Sequence, residues 1–230
     1  MTTLALQEVR RRIAEACQRS GRDPSSVALV AVTKTVSVER VREILACGHG
    51  LFGENRVQEA LRKIPLVGGG ARWHLVGHLQ RNKARHAVGR FELIHSVDDL
   101  ELSNELDRRA AAAGVVQPVL VEVNVAGEAT KHGASEVALP SLLDAIVARM
   151  HLDLRGLMCI PPPVEHAEQA RGWFARLAEI RDRASRRLGR ALPELSMGMT
   201  DDFEVAIEEG ATLVRVGRAI FGERPTQGED

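Results

Sequence analysis

Apolar residues along this chain fall into two alternating rhythms. Short runs rich in Val, Leu and Ile recur, and between them lie longer stretches with apolar positions three and four apart. The short runs predict strands at 27–33, 50–53, 73–77, 93–97, 119–125, 154–159, 194–197 and 213–216. The longer stretches predict helices. One covers 38–47, with Val41, Ile44 and Leu45 on one face and Gly48 as its stop. Another covers 98–113 and ends at Gly114. A long one begins near Glu165 and carries Ala170, Trp173, Phe174, Leu177, Ile180, Ala184 and Leu188. At the start, Leu6, Val9, Ile13 and Ala16 predict an ordinary amphipathic helix.

Strands alternating with helices pair in parallel through crossovers. Eight such units argue for a closed (β/α)8 barrel over an open sheet. The length of 230 residues suits one barrel, for which about 250 is typical. No linker, repeat or low-complexity tract marks a second domain. Residues 1–230 therefore read as one domain, with 223–230, which include RPTQGED, as a flexible tail. Gly68, Gly69 and Gly70 precede the third strand. No lysine or helix start follows them, so they read as a flexible loop and not as a phosphate cradle. Pro161, Pro162 and Pro163 follow the sixth strand and read as a stiff extended loop at the rim.

Composition narrows the picture. Hydrophobic residues make up 44% and charged residues 27%, enough for a core and a soluble surface. The 31 basic and 31 acidic residues balance, so no nucleic-acid footprint is expected. Cys17, Cys47 and Cys159 are odd in number and far apart, and no CxxC pair exists. Neither a disulfide framework nor a zinc site is indicated, and a reducing cytoplasm fits. The first residues contain no long apolar run for a leader or a membrane span. Glu8 and Glu15, interleaved with Arg10, Arg11 and Arg12, argue against a mitochondrial presequence.

Active sites of such barrels lie at the C-terminal ends of the strands. The first run, VALVAVTK, ends in Lys34; the second, LFGEN, in Asn55; the third, WHLVGH, holds His74. A lysine entering a partly desolvated mouth becomes a better nucleophile, as covalent catalysis by lysine requires. A lysine that merely snorkels at a strand end fits the position too. The loops after strands seven and eight often hold a phosphate. Here Ser196, Met197, Gly198, Met199 and Thr200 lead into a helix expected near Asp201, and Gly217 and Arg218 supply a second set of donors. Asp201, Asp202 and Glu204 crowd that helix start, where they could serve simply as caps. Arg215 sits inside the eighth strand. It suits either a cofactor ring nitrogen or a structural pair with a carboxylate such as Glu122. His74 and His78 are four apart on a predicted strand, so both are expected on the same face, about 13 Å apart and too far to share a metal ion. His78, in GHLQRNK, reads as the turn into the next helix, and no metal site is expected.

The segments VAVTKT, LFGENRVQEA, WHLVGHLQRNKA, HSVDDL, VEVNVAGEATKHG, GLMCIPP and LSMGMTDDFEVAIEEGATLVRVGRAIFG together resemble the pyridoxal phosphate homeostasis protein family. These are also called the proline synthetase co-transcribed homologues and are similar to the N-terminal barrel of bacterial alanine racemase. The resemblance spans residues 27–222. It implies a fold-type III barrel that binds pyridoxal 5′-phosphate (PLP), with Lys34 matching the Schiff-base lysine. Asn55 and His74 match pocket positions. Ser196, Gly198, Thr200 and Gly217 match the phosphate-loop segments, and Met197, Met199 and Arg218 go with them as cofactor-binding positions. Arg215 matches the arginine facing the pyridine nitrogen. Lys131 matches a lysine of a KxG stretch near the rim.

Racemisation on such a barrel needs a base on each face of the substrate. In enzymes of that type the second base is a tyrosine from a further domain across a dimer. This chain has no tyrosine and no residues left for such a domain. The resemblance therefore implies a non-enzymatic PLP-binding protein that keeps the intracellular cofactor level in check. It is expected as a cytoplasmic monomer with PLP-dependent apo-enzymes as partners, and with neither nucleic acid nor membrane. The alternative is a PLP-dependent amino-acid racemase of broad specificity. A third reading is a barrel without cofactor, in which Lys34 is structural.

Overall fold

A computed structural model describes residues 2–128 and 131–222; the expected tail at 223–230 lies outside the described residues. Helix α1 (Thr2–Arg19) comes first. Then β1 (Ala28–Val32), α2 (Val38–Ala46), β2 (Leu51–Glu54), α3 (Val57–Val67), β3 (Arg72–Leu75), α4 (Ala84–Ala87), β4 (Leu93–Val97) and α5 (Leu100–Ala113) alternate. The second half continues with β5 (Gln117–Glu122), α6 (Leu139–Val147), β6 (Leu152–Met158), α7 (Arg171–Leu188), β7 (Glu194–Ser196), α8 (Phe203–Glu208), β8 (Leu213–Val216) and α9 (Arg218–Phe221). The strands close into a barrel in sequence order, and β1 joins β8 with Val30 beside Arg215. The expected (β/α)8 architecture is the observed one.

Two separate apolar cores result from the period of two along each strand. One lies between sheet and helices and takes the inward stripes of the helices, including Leu6, Val9 and Ile13 of α1. The other fills the barrel itself: Val30, Val32, Leu51, Val76, Leu93, Leu120, Met158 and Leu213. Each fully buried Leu or Val contributes about 1.5–3 kcal/mol, so the interior is a packed plug and not a channel. Among the described residues no helix is long and apolar enough to cross a membrane. Cys17, Cys47 and Cys159 are free thiols.

Several boundaries differ from expectation for local reasons. Helix α5 starts at Leu100, because the Asp99 carboxylate caps it by accepting from the Leu102 N–H at 2.6 Å. The long helix α7 starts at Arg171. Before it, the Gln169 side chain accepts from the Glu165 and His166 N–H groups and winds a short 3-10 turn, Ala167–Ala170. Helix α8 starts at Phe203 and not near Asp201, because Asp202 turns back to accept from the Met199 N–H at 2.6 Å. Strand β3 stops at Leu75. Gly77 then presses onto the backbone of Asn55, where an added Cβ would lie 2.4 Å from the Asn55 carbonyl oxygen. His78 therefore leaves the strand, as GHLQRNK suggested, and does not share its face with His74.

Candidate functional site

The stripe that plugs the barrel continues one step further along each strand, and there its chemistry changes. Two residues beyond inward Val32 comes Lys34; beyond Leu93, His95; beyond Leu120, Glu122; beyond Leu213, Arg215. Ser196 lies beside inward Met158, and His74 precedes inward Val76. Polar groups from β1, β3, β4, β5, β7 and β8 thus share the C-terminal mouth.

Four of them form one buried chain. Arg215 donates from Nη1 to Ser196 Oγ at 2.6 Å and from Nη2 to the Cys159 carbonyl at 2.9 Å. Ser196 Oγ lies 2.8 Å from His95 Nδ1, and His95 Nε2 lies 3.0 Å from His74 Nδ1. Arginine can only donate, so Ser196 Oγ accepts from Arg215. The rest of the chain closes with the proton order Ser196 to His95 to His74 or with its reverse, since a hydroxyl oxygen can accept twice. In either order both imidazoles are neutral, which burial favours. His74 is pushed down to about 4, by burial first and then by Arg72. His95 is held well below its ordinary value by burial, then by His74 and Arg215.

Sequence left open whether Arg215 pairs with Glu122. The guanidinium instead donates to Ser196 and Cys159, and Glu122 feels its charge without a hydrogen bond to it. Glu122 is pushed up to about 7 by burial and by neighbouring Asp98, against the attraction of Arg215.

Lys34 sits between two anchored peptides. Buried Lys63 of α3 donates to the Thr33 carbonyl at 2.5 Å, to Glu54 at 2.8 Å and to Glu59 at 2.6 Å. The Thr33 hydroxyl donates to Glu54, and the Thr35 N–H donates to Glu59 at 2.7 Å. Thr35 is the one non-glycine with positive φ among the described residues, at 64°. That conformation costs roughly 1–2 kcal/mol, and the Glu59 bond holds it. Lys63 had no signal in the sequence beyond a Glu59–Lys63 spacing of four on a helix.

The two glycine loops close the mouth on the β7–β8 side. Gly198, at φ 86°, lies so close to α8 that an added Cβ would fall 2.6 Å from Ala206 Cβ. Its carbonyl accepts from the Arg215 N–H at 3.0 Å, tying the loop to β8. Gly217 lies over the end of β1, where a Cβ would meet the Val32 carbonyl oxygen at 3.2 Å. Asp201 and Arg218 form an ion pair that joins the two loops. The acidic residues at this helix start thus each have a partner: Arg218 for Asp201, the Met199 N–H for Asp202, and Arg12 for Glu204.

Not every expected site residue presents its side chain to the mouth. Met197 packs into the core between sheet and helices, so it offers only backbone there. The Arg218 guanidinium is drawn to Asp201. Thr200 is half-buried and Met199 partly exposed at the loop crest. Asn55 is half-buried at the end of β2. Lys131 is exposed in the loop after β5. The candidate site residues that sequence reasoning did not place at the mouth are His95, Lys63 and the Cys159 carbonyl, together with Glu122, which it named only as a possible partner of Arg215. The inward parity of LIHSV and VLVE could have found His95 and Glu122. At the opposite mouth lies a cavity of about 400 Å³ bordered by Arg10, His49 and Arg72. It holds none of the linked groups.

Comparison with known proteins agrees with this geometry. The family described as alanine racemase, N-terminal domain, matches residues 4–225. A protein of Aquifex aeolicus named pyridoxal phosphate homeostasis protein is 46% identical over 220 residues, 95% of this chain and 96% of that one. One of the same name from Pseudomonas aeruginosa is 44% identical over 232 residues, covering 97% of each. Among solved structures, PipY of Synechococcus elongatus with PLP bound superposes with a TM-score of 0.82 at 36% identity, covering 93% of this chain and 100% of that one. The chain belongs to the pyridoxal phosphate homeostasis protein family, within the alanine racemase N-terminal domain family.

Proposed function

We propose that this protein binds PLP at the C-terminal mouth of the barrel, with Lys34 as the covalent anchor, and that it keeps free PLP in check as a carrier and not as a racemase. The observation that carries this reading is the buried chain Arg215–Ser196–His95–His74, set at the same mouth as Lys34. The names of the relatives and the PLP-bound PipY support it.

The residues suit the group. PLP supplies an aldehyde that condenses reversibly with an amine, which makes a lysine both an attachment point and a release point. The clamp on Thr33 and Thr35 fixes the backbone from which Lys34 extends. Arg215 is a permanent donor held by two acceptors, so it suits a ring nitrogen that stays unprotonated; a ring so held is a weak electron sink, which favours storage over carbanion chemistry. His74 and His95 remain neutral and place no competing cation beside that nitrogen. The Gly198 and Gly217 loops let backbone approach a phosphate where a side chain would clash. Asn55, Ser196, Thr200 and the backbones of Met197, Met199 and Arg218 complete the proposed contacts. The proposal includes a cytoplasmic monomer that hands PLP to apo-enzymes, with Lys131 beside the exchange path.

The test is spectroscopic. Purified wild type and Lys34→Ala are given PLP, desalted and scanned in the near-ultraviolet and visible. A band in wild type alone, fixed by borohydride as added mass on the peptide containing residue 34, is the expected result. No band in wild type would sink the reading. Exchange of α-deuterium from alanine or serine, lost in Lys34→Ala, would replace the carrier with a racemase. Sedimentation at two concentrations tests the monomer.

A further inference from the structure

We infer that His78, Asp98 and His132 form a binding site for one divalent transition-metal ion of the zinc or cobalt class, on the barrel rim over β3, β4 and β5. The three residues follow consecutive strands: His78 in the loop after β3, Asp98 directly after β4, and His132 in the loop after β5. One ligand atom from each lies within 4.8 Å of the other two. Nothing in the proposed PLP contacts uses any of them.

Asp98 gives the independent reason to expect a cation. Its side chain is only 12% exposed, and its Oδ1 is buried without a hydrogen-bond partner, the Gly133 N–H being a backbone donor that faces the carboxylate. Its Oδ2 lies 3.5 Å from His78 Nδ1, beyond hydrogen-bond length. Leaving a buried carboxylate oxygen without a donor is costly, and native structures rarely do so without an ion or a water. The adjacent Asp99 is occupied in capping α5, so it does not compete for the same cation.

The two imidazoles complete the donor set. His78 and His132 stack face to face, with ring centroids 3.8 Å apart and planes 11° from parallel. Stacked rings do not aim their nitrogens at one point, so at least one must turn to bind. Both have room: the His78 side chain is 36% exposed and His132 is on the surface. Bonds near 2.0–2.1 Å place tetrahedral ligand atoms about 3.3 Å apart, so the donors must close by about 1.5 Å from their widest separation. The backbone beneath His132 is fixed, because Ala134 exchanges hydrogen bonds with Glu122 and Asn124 at 2.8 and 3.0 Å. Two imidazoles and one carboxylate suit zinc, cobalt or nickel, whereas calcium and magnesium prefer all-oxygen shells. Three protein ligands leave a fourth position open to water or another small donor.

Cobalt(II) is the probe, added to untagged full-length protein that has been stripped with chelator and holds no PLP. The expected result is one equivalent bound, with visible d–d bands of a nitrogen–oxygen site. His132→Ala, a change on an exposed loop, should weaken binding about 100-fold or more, since even second-shell changes cost 10–100-fold. Asp98→Asn should do the same. The inference is overturned by sub-stoichiometric binding to wild type, or by unchanged affinity in His132→Ala. It is also overturned by a sulfur-to-cobalt charge-transfer band, which would assign the ion to Cys47.

Discussion

The lower and upper halves of the barrel interior are made by the same strands and have opposite chemistry. Below, Val32, Leu51, Leu93, Leu120 and Leu213 meet as a dry plug that is stable by area alone. Two residues further along, Lys34, His95, Glu122 and Arg215 replace apolar side chains with groups that are expensive to bury. The lower layer tolerates imprecision, because dispersion has no direction. The upper layer is viable only because Arg215, Ser196, His95 and His74 satisfy one another in one connected chain. A site of this kind therefore depends on register between strands, whereas the plug depends only on volume.

The comparison can be broken from either side. Leu120→Ala hollows the plug. It should lower unfolding free energy by about 2–5 kcal/mol, read by denaturant titration, while each folded molecule keeps its capacity to be labelled at Lys34. Ser196→Ala removes a smaller volume yet strikes the site. It leaves an Arg215 N–H and His95 Nδ1 buried without partners, at about 1–3 kcal/mol each. Retained PLP after desalting should fall well beyond what the loss of stability explains. Equal retention in the two variants would erase the distinction between layers.

Acid and base behaviour sharpens it further. Glu122 is raised to about 7 in the fold, so the folded state holds its proton between about 4.5 and 7. That contribution is complete below 4.5 and is lost as pH rises through 7. Glu122→Gln should therefore gain on wild type, by on the order of 2 kcal/mol, between pH 5 and pH 8 in paired thermal melts. His74 runs the other way. It is neutral in the fold down to about 4, so stability is lost as pH falls from 6.5 toward 4. His74→Gln should flatten that acid limb. The smallest effect belongs to Arg218→Ala. Its pair with Asp201 is exposed on both sides, so stability should not change measurably in the same melts.

The eight-unit alternation, the closed barrel and the strand-end residues Lys34, Arg215 and Ser196 were legible in the sequence. Period, length and breakers are local properties, and the motifs around these residues are long. His95, Glu122 and Lys63 were not legible as site residues. Alternation says that neighbouring side chains point to opposite faces, but only closure of the sheet decides which face is inside. Which inward groups touch across strands then depends on parallel register, such as Met158 beside Ser196. Met197 and Arg218 show the same limit from the other side: the sequence placed them after the seventh and eighth strands, while packing and Asp201 decided where their side chains went. Sequence alone determined the architecture and the position of the lysine, because both follow from the order of residues along the chain. Tertiary structure alone decided the hydrogen-bonded chain, the clamp around Lys34 and the meeting of His78, Asp98 and His132, because each joins residues that only the closed barrel brings within bonding distance.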